Sequence, residues 1–269
     1  MRISLIMPTY NRDFIIELAI QSIIHQEPHE SEVELFIGDD GTDQTEEIIN
    51  NIDNTNPRLT IHYEKMERIA LSDKLNYLVR KSTGDYYGII GSDDFQSPYK
   101  ITGFEKALSQ KGGDVFGQYK FIYHDIIFSH SKIWTQNRDL DFFKAGSFLI
   151  MKRSIFDQYD GYDPGLWRAI DSSLAEKIDW EKVDCTNVED VEPKVIQSSI
   201  AIQHIDNIWR RKSKGFRRKQ KQTANYLTQS IDLNLQEEMG SVYPTYHRLR
   251  EYMVKDLSIL KKIFLILKK

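Results

Sequence analysis

The chain has 269 residues, 40% hydrophobic and 12% aromatic, enough to bury a full core as one large α/β domain or one domain with an appendage. A formal net charge of -4 hides an asymmetry: from residue 207 onward there are 15 Lys+Arg against 5 Asp+Glu, leaving 21 basic and 35 acidic groups in the body. The single cysteine, Cys185, excludes an internal disulfide and a thiolate metal site, and no run approaches the roughly 18 apolar residues of a membrane span.

Arg2–Met7 is too short an apolar run for a signal sequence and is cut off by Pro8, so a soluble or peripheral protein of the cytoplasm is expected. Ile3–Met7 reads as a first strand, left through Pro8-Thr9-Tyr10-Asn11-Arg12. Phe14–His25 carries apolar residues at helical spacing. Val33–Gly38 is a second strand ending in Asp39-Asp40-Gly41-Thr42-Asp43, where Thr42 or Asp43 can cap a helix from Gln44 to Ile52. Leu59–Tyr63 is a third strand, and Ser72–Lys81 a third helix through Leu75, Leu78 and Val79.

Gly84–Phe95 reads Gly-Asp-Tyr-Tyr-Gly-Ile-Ile-Gly-Ser-Asp-Asp-Phe. Tyr86–Ile90 suits a buried strand, and Gly91-Ser92 breaks it just before two consecutive carboxylates. Like charges about 4 Å apart repel by roughly 4 kcal/mol near a protein surface, so Asp93 and Asp94 call for water or a cation. The plain alternative is a solvated turn with Asp94 capping a helix. Strands alternating with ten-residue helices mean βαβ units in a mostly parallel sheet. Pro8–Asn11, Asp39-Asp40 and Asp93-Asp94 then share one crevice at the carboxyl ends of the strands.

These residues, with Gln26 closing the first helix, Asn76 inside the third and Gly84-Asp85-Tyr86, together resemble family 2 glycosyltransferases of the GT-A fold. The resemblance is tight over 1–108, looser to about 210 and absent beyond. It implies a nucleotide-binding half at 1–108 and an acceptor-binding half at 109–209, while charge and periodicity make 210–269 a basic linker and helical tail. There is no glycine-rich phosphate loop of the dinucleotide or Walker kind.

The resemblance implies an inverting transferase that takes a UDP-sugar donor and a hydroxyl of a glycan or lipid-linked acceptor. Pro8, Thr9, Tyr10, Asn11, Asp40, Lys74 and Asp93 would meet the donor. Tyr10 would stack on uracil and Asp40 accept its imide N–H, while Lys74 or Arg68 would reach the diphosphate or ribose. Asp94, joined by His204, would hold Mn²⁺ or Mg²⁺; with serine in place of a first acid, one direct carboxylate ligand is secure. Asp171 matches the acid of the catalytic helix start and would be the base, with Asp163 as runner-up and Asp160 third. Each residue has a plain reading as well: Tyr10 packing on the first helix, Asp40 and Asp171 as caps, Lys74 and Arg68 solvated, His204 in a core. A catalytically inactive sugar-nucleotide-binding subunit of an assembly complex is the alternative function.

Farther on, Tyr99–Leu108 fits a helix ended by Gly112-Gly113, and Asp114–Ser129 and Phe148–Met151 read as strands. Trp167–Ile178 has helical spacing, Thr186–Pro193 reads as a loop, and Ile196–Ile205 as a strand. Arg210–Lys221 holds 8 Lys or Arg in 12 positions with one aromatic residue interleaved, a poor nucleic-acid surface on an acidic body, so no nucleic acid is expected. Tyr246–Lys269 is a helix candidate with one apolar stripe whose end, framed by lysine pairs, suits a peripheral membrane contact. Its rivals are packing on its own domain or on a second copy in a homo-oligomer.

Overall fold

A computed structural model describes residues 1–126, 129–136, 149–168, 170–197, 200–203, 226–231 and 233–253. With strands numbered in chain order, β1 (Arg2–Thr9), β2 (Glu32–Asp39), β3 (Leu59–Lys65) and β4 (Tyr86–Ile89) form the core of a seven-stranded sheet. It is completed by β6 (Val115–Gly117), β9 (Ile150–Lys152) and β10 (Cys185–Asn187), in the order β10-β6-β9-β4-β1-β2-β3. The β1–β2, β2–β3, β1–β4 and β6–β10 pairs are parallel, and β9 runs antiparallel between β4 and β6. The register sets Thr9 opposite Asp39, so the tips of β1 and β2 end together.

Helices cover both faces, as the βαβ pattern requires. On one face α1 (Ile16–Ile24), α2 (Thr45–Asn50) and α4 (Lys100–Lys111) bury Ile16, Ile20, Ile49, Ile101 and Phe104 against Leu5, Leu35 and Tyr86. On the other, α3 (Leu71–Lys81), α5 (Arg153–Gln158) and α6 (Ile170–Ala175) bury Leu75, Leu78, Phe156 and Leu174 against Ile6, Phe36 and Tyr87. Each such side chain contributes roughly 1.5–3 kcal/mol of burial.

A second, mixed sheet was not foreseen. It is ordered β12-β8-β7-β11-β5, from β5 (Asp94–Phe95), β7 (Lys120–Asp125), β8 (His130–Gln136), β11 (Ile200–Gln203) and β12 (Tyr226–Ile231). Phe95, Ile122, Ile200 and Ile202 pack with Ile15 and Leu18 of the first helical segment, and with Tyr246, Leu249 and Met253 of a helix over 243–253. The first helix is therefore apolar on two sides because it lies between two cores, which explains its nearly unbroken run of apolar residues. The described start of the tail stripe packs on its own domain, and Arg248 reaches Glu17 at 3.0 Å.

Four expectations need correction. Thr186–Pro193 is not a loop: β10 and a 3₁₀ turn, Val188–Asp190, occupy it. Two of its acids are buried, Glu189 accepting from Lys120 N at 2.5 Å and Glu192 pairing with Lys106, while Asp190 is exposed. The strand expected from Ile196 starts at Ile200, behind a short helix α7 (Lys194–Gln197). The helix expected over Trp167–Ile178 is only α6, because its approach is pinned elsewhere: Leu166 exchanges backbone and hydroxyl hydrogen bonds with Ser72 (3.0 and 2.8 Å). At its far end Trp180 Nε1 donates to the Ala175 carbonyl at 2.9 Å. Asp94 lies in β5, paired with Ala201, rather than on a helix cap.

Candidate functional site

The carboxyl tips of β1, β2 and β4 meet as predicted. Asn11, held at φ 51, accepts from Thr42 N at 2.8 Å and so fastens the turn after β1 to the turn after β2. Gly41 is obligatory there, because a Cβ would lie 2.6 Å from Asn11 N. Arg12 Nε stands 3.7 Å from Asp93, bringing the β4 tip into the same cluster.

Asp39 and Asp40 divide the work. Asp39 is fully buried and serves the fold, accepting from Gly41 N (2.8 Å), Tyr63 OH (3.0 Å) and Lys65 Nζ (2.8 Å). Asp40 accepts on one oxygen from Lys74 and on the other from Arg68, at 2.7 Å. Lys74 is 2% exposed and also donates to the Thr9 carbonyl at 2.9 Å. Burial pulls its ammonium below the usual lysine value, against the opposing pull of Asp40. Lys74, expected at the diphosphate, instead faces inward and holds Asp40. Tyr10 does not pack on the first helix: it is 42% exposed, with the Arg68 guanidinium 3.7 Å from its ring centre. Thr9 Oγ1 is buried beside this slot with no hydrogen-bond partner.

Ser92 and Gln96 are buried around the half-buried Asp93 and Asp94. Lys100, at the start of α4, is buried near Asp94, and loss of water draws its ammonium down to about 7. Gly91 forms a cradle for the Asp94 carboxylate: a Cβ on Gly91 would lie 2.4 Å from Oδ2. Two hard carboxylates in an open turn suit Mg²⁺ or Mn²⁺, which take one or two carboxylates and complete their shell with phosphate and water. Among the described residues no group of three His, Cys, Asp or Glu could hold a metal, and His204 lies outside them.

Asp171 opens α6 at the edge of an apolar crevice lined by Tyr87, Leu149, Tyr162, Leu174, Ile178 and Trp180. Its carboxylate keeps an exposed side, yet the protein crowded around it strips water and pushes it up to about 6. Asp163 is tied to Lys177 at 2.7 Å and Asp160 to Arg80 at 2.8 Å. The approach to α6 rests on α3, where Asn76 exchanges two hydrogen bonds with Tyr162 (2.8 and 2.9 Å) and Gly165 N donates to Asp73.

Gly84-Asp85-Tyr86 stands at the other end of the sheet. There Glu34 accepts from Ser4 Oγ at 2.5 Å and from Thr83 and Gly84 N, and a Cβ on Gly84 would lie 2.4 Å from Ser4 Oγ. Burial works to raise the Glu34 carboxyl, but these donors outweigh it and hold it below the usual value. That motif belongs to the fold. Arg68 was a candidate in the sequence, whereas Trp167, whose ring centre lies 4.7 Å from the same guanidinium, was not. Only the aromatic residue between Gly165 and Asp171 hinted at Trp167.

A mostly parallel sheet sandwiched by helices, with acids gathered on one carboxyl edge, defines a GT-A fold of the glycosyltransferase class. The family model "Glycosyl transferase family 2" matches residues 4–160, and the chain belongs to that family. It is 31% identical over 137 residues to an uncharacterized glycosyltransferase, MG060, of Mycoplasma genitalium; the match covers 50% of this chain and 43% of that relative, so the chain spans under half of it. Among solved structures, S. aureus TarS 1-349 in complex with UDP-GlcNAc superposes with a TM-score of 0.61 at 16% identity, over 79% of this chain and 62% of TarS. The mannosyltransferase PcManGT of Pyrobaculum calidifontis, in complex with GDP-Man and Mn²⁺, gives 0.57 at 18% identity, over 94% and 72%.

Proposed function

We propose that the chain is an inverting, metal-assisted glycosyltransferase that moves a sugar from a UDP-sugar to a hydroxyl of a glycan or lipid-linked acceptor. The observation that carries the donor reading is the division of Asp40: Lys74 keeps one oxygen, and a ligand can take only the other, which Arg68 holds from its place over the Tyr10 ring. A uracil imide offers one N–H, whereas guanine offers a pair that calls for both oxygens.

Asp94, with Asp93 beside it, would hold the cation, which when bound offsets charge on the leaving diphosphate. Arg12 adds a fixed positive charge on Asp93. Asp171 takes the acceptor proton as its hydroxyl attacks the anomeric carbon; a carboxyl pushed up toward neutrality is the better base, and positioned bases contribute typically 10²- to 10⁴-fold. Asp163 and Asp160 are weaker candidates because each has a cation on it. The lysine-framed run Lys261–Lys269 supports a peripheral membrane contact suited to a lipid-linked acceptor. Among the described residues no helix is long and apolar enough to cross a membrane.

The test is a screen of nucleotide sugars, by binding and by donor hydrolysis, with and without Mn²⁺. Metal-dependent turnover of a UDP-sugar supports the reading. Preference for a GDP-sugar overturns the donor assignment, and UDP-sugar binding with no turnover toward any acceptor favours the inactive subunit.

A further inference from the structure

Arg68 makes the two contacts the donor reading reserves for a nucleobase. Its planar guanidinium lies 3.7 Å from the Tyr10 ring centre and donates to Asp40 Oδ2 at 2.7 Å. A second aromatic ring meets the same group, with the Trp167 ring centre 4.7 Å from the same carbon. Optimal contact between carbon atoms is about 3.5–4.0 Å, so both rings lie at or near contact with this one planar group. Trp167 is not there by accident of a loose loop: Gly165 and Leu166 are bonded to Asp73 and Ser72 of α3, which also carries Lys74.

Resting on the donor reading above, we propose that Trp167 is the second wall of the nucleobase slot, and that Arg68 is a place-holder the base must displace. In the free chain Arg68 caps the otherwise buried Asp40 oxygen and fills the slot. A base bearing one N–H at the right edge replaces both contacts. Cytosine, which lacks that donor, would evict Arg68 as well but leave the Asp40 oxygen unpaired. Arg68 comes from the segment between β3 and α3 and its side chain is 48% exposed, so it can swing into solvent without disturbing the core. Its departure also removes the Arg68–Trp167 contact.

The consequence is a penalty on affinity: a site open in only a fraction of molecules binds its ligand more weakly by that fraction. The experiment compares wild type, Arg68→Ala, Arg68→Lys and Trp167→Ala. Uridine is the probe, since it has no phosphate for a cation to meet; cytidine and UDP with Mn²⁺ are further arms, read by calorimetry. Arg68→Ala is expected to bind uridine about tenfold more tightly than wild type, with the same gain for cytidine. Arg68→Lys, which keeps charge but loses the plane, should fall between. Trp167→Ala should weaken uridine binding about tenfold, the scale of one stacking face. Unchanged or weaker uridine binding by both Arg68 variants overturns the place-holder, and unchanged binding by Trp167→Ala overturns the second wall. If wild type binds UDP while either result holds, the donor reading survives without this inference; if neither wild type nor variant binds uridine or UDP, both fall together.

Discussion

The ammonium of Lys74 bridges Asp40 and the Thr9 carbonyl, 2.9 Å away, so one buried cation joins the tips of β1 and β2 to α3. Removing it strands half of a carboxylate that has no exposed surface. Lys74→Met is therefore expected to destabilise the protein by about 3 kcal/mol, the scale for breaking one partner of a buried pair. Urea denaturation measures this. Arg68→Ala, which removes a half-exposed partner from the same carboxylate, should cost clearly less, and equal costs would show that burial does not govern the cluster.

The raised carboxyl of Asp171 makes a two-sided prediction. As the base it must be ionised, so turnover should fall as pH drops through about 6, and Asp171→Asn should lose 10²-fold or more in kcat with UDP binding intact. Stability runs the other way. A carboxyl whose folded pKa lies above the ordinary 3.8 favours the folded state when protonated, so the ionised form costs stability above about pH 6. Asp171→Asn should raise the melting temperature at pH 7.5, and the gain should vanish as pH falls from about 6 to below 3.8. Because the group keeps an exposed side, the gain should stay within about 1 kcal/mol. Thermal melts across that range check it, and a gain independent of pH would contradict it.

Much of the first sheet was legible because β1, β2 and β4 are buried on both faces and read as nearly continuous apolar runs, and because their tips carry Pro8–Asn11, Asp39-Asp40 and Asp93-Asp94 in βαβ order. The second sheet was not. Its strands are short, β5 has two residues, and it pairs by backbone with β11, far away in the chain; side-chain pattern carries little of that. Acids at 189–192 read as loop because a carboxylate accepting a backbone N–H looks, in sequence, like a solvated one. Lys74 read as a ligand contact for a similar reason: a cation at the start of a helix near the site gives no hint of whether it faces the ligand or the carboxylate behind it.

Gly91 gives a test of the Asp94 cradle. A Cβ there would lie 2.4 Å from Asp94 Oδ2, so Gly91→Ala must push the carboxylate away while leaving the apolar cores untouched. The variant is expected to keep its melting temperature within about 1 kcal/mol of wild type in equivalent stability, as for a surface change. Its metal-dependent UDP affinity should drop about tenfold or more, since a 1 Å misplacement of a working group has effects of that order. Parallel titrations of UDP with and without Mn²⁺ separate the two. Equal Mn²⁺ enhancement in Gly91→Ala and wild type would detach Asp94 from the metal.

His124 places an acid-sensitive joint in the second core. It is 1% exposed, with Nδ1 2.8 Å from Ser131 Oγ and Nε2 2.7 Å from Tyr246 OH, so one imidazole joins β7, β8 and the helix over 243–253. Burial draws its pKa from 6.5 down to about 4, against the pull of Asp125 and with Arg250 and His130 adding to the fall. The unfolded chain thus takes up the proton first. The stability this neutral imidazole contributes is complete above about pH 6.5 and is lost as pH falls toward 4. Wild type should lose on the order of 2 kcal/mol over that window from this group. His124→Gln, which does not titrate, should start less stable at pH 7.5 and show a flatter decline, and Tyr246→Phe should cost about 1 kcal/mol at pH 7.5 by leaving Nε2 without its partner. Chemical denaturation at several values between pH 7.5 and 4 decides the matter: parallel curves for wild type and His124→Gln would mean that other groups set the acid limit of this fold.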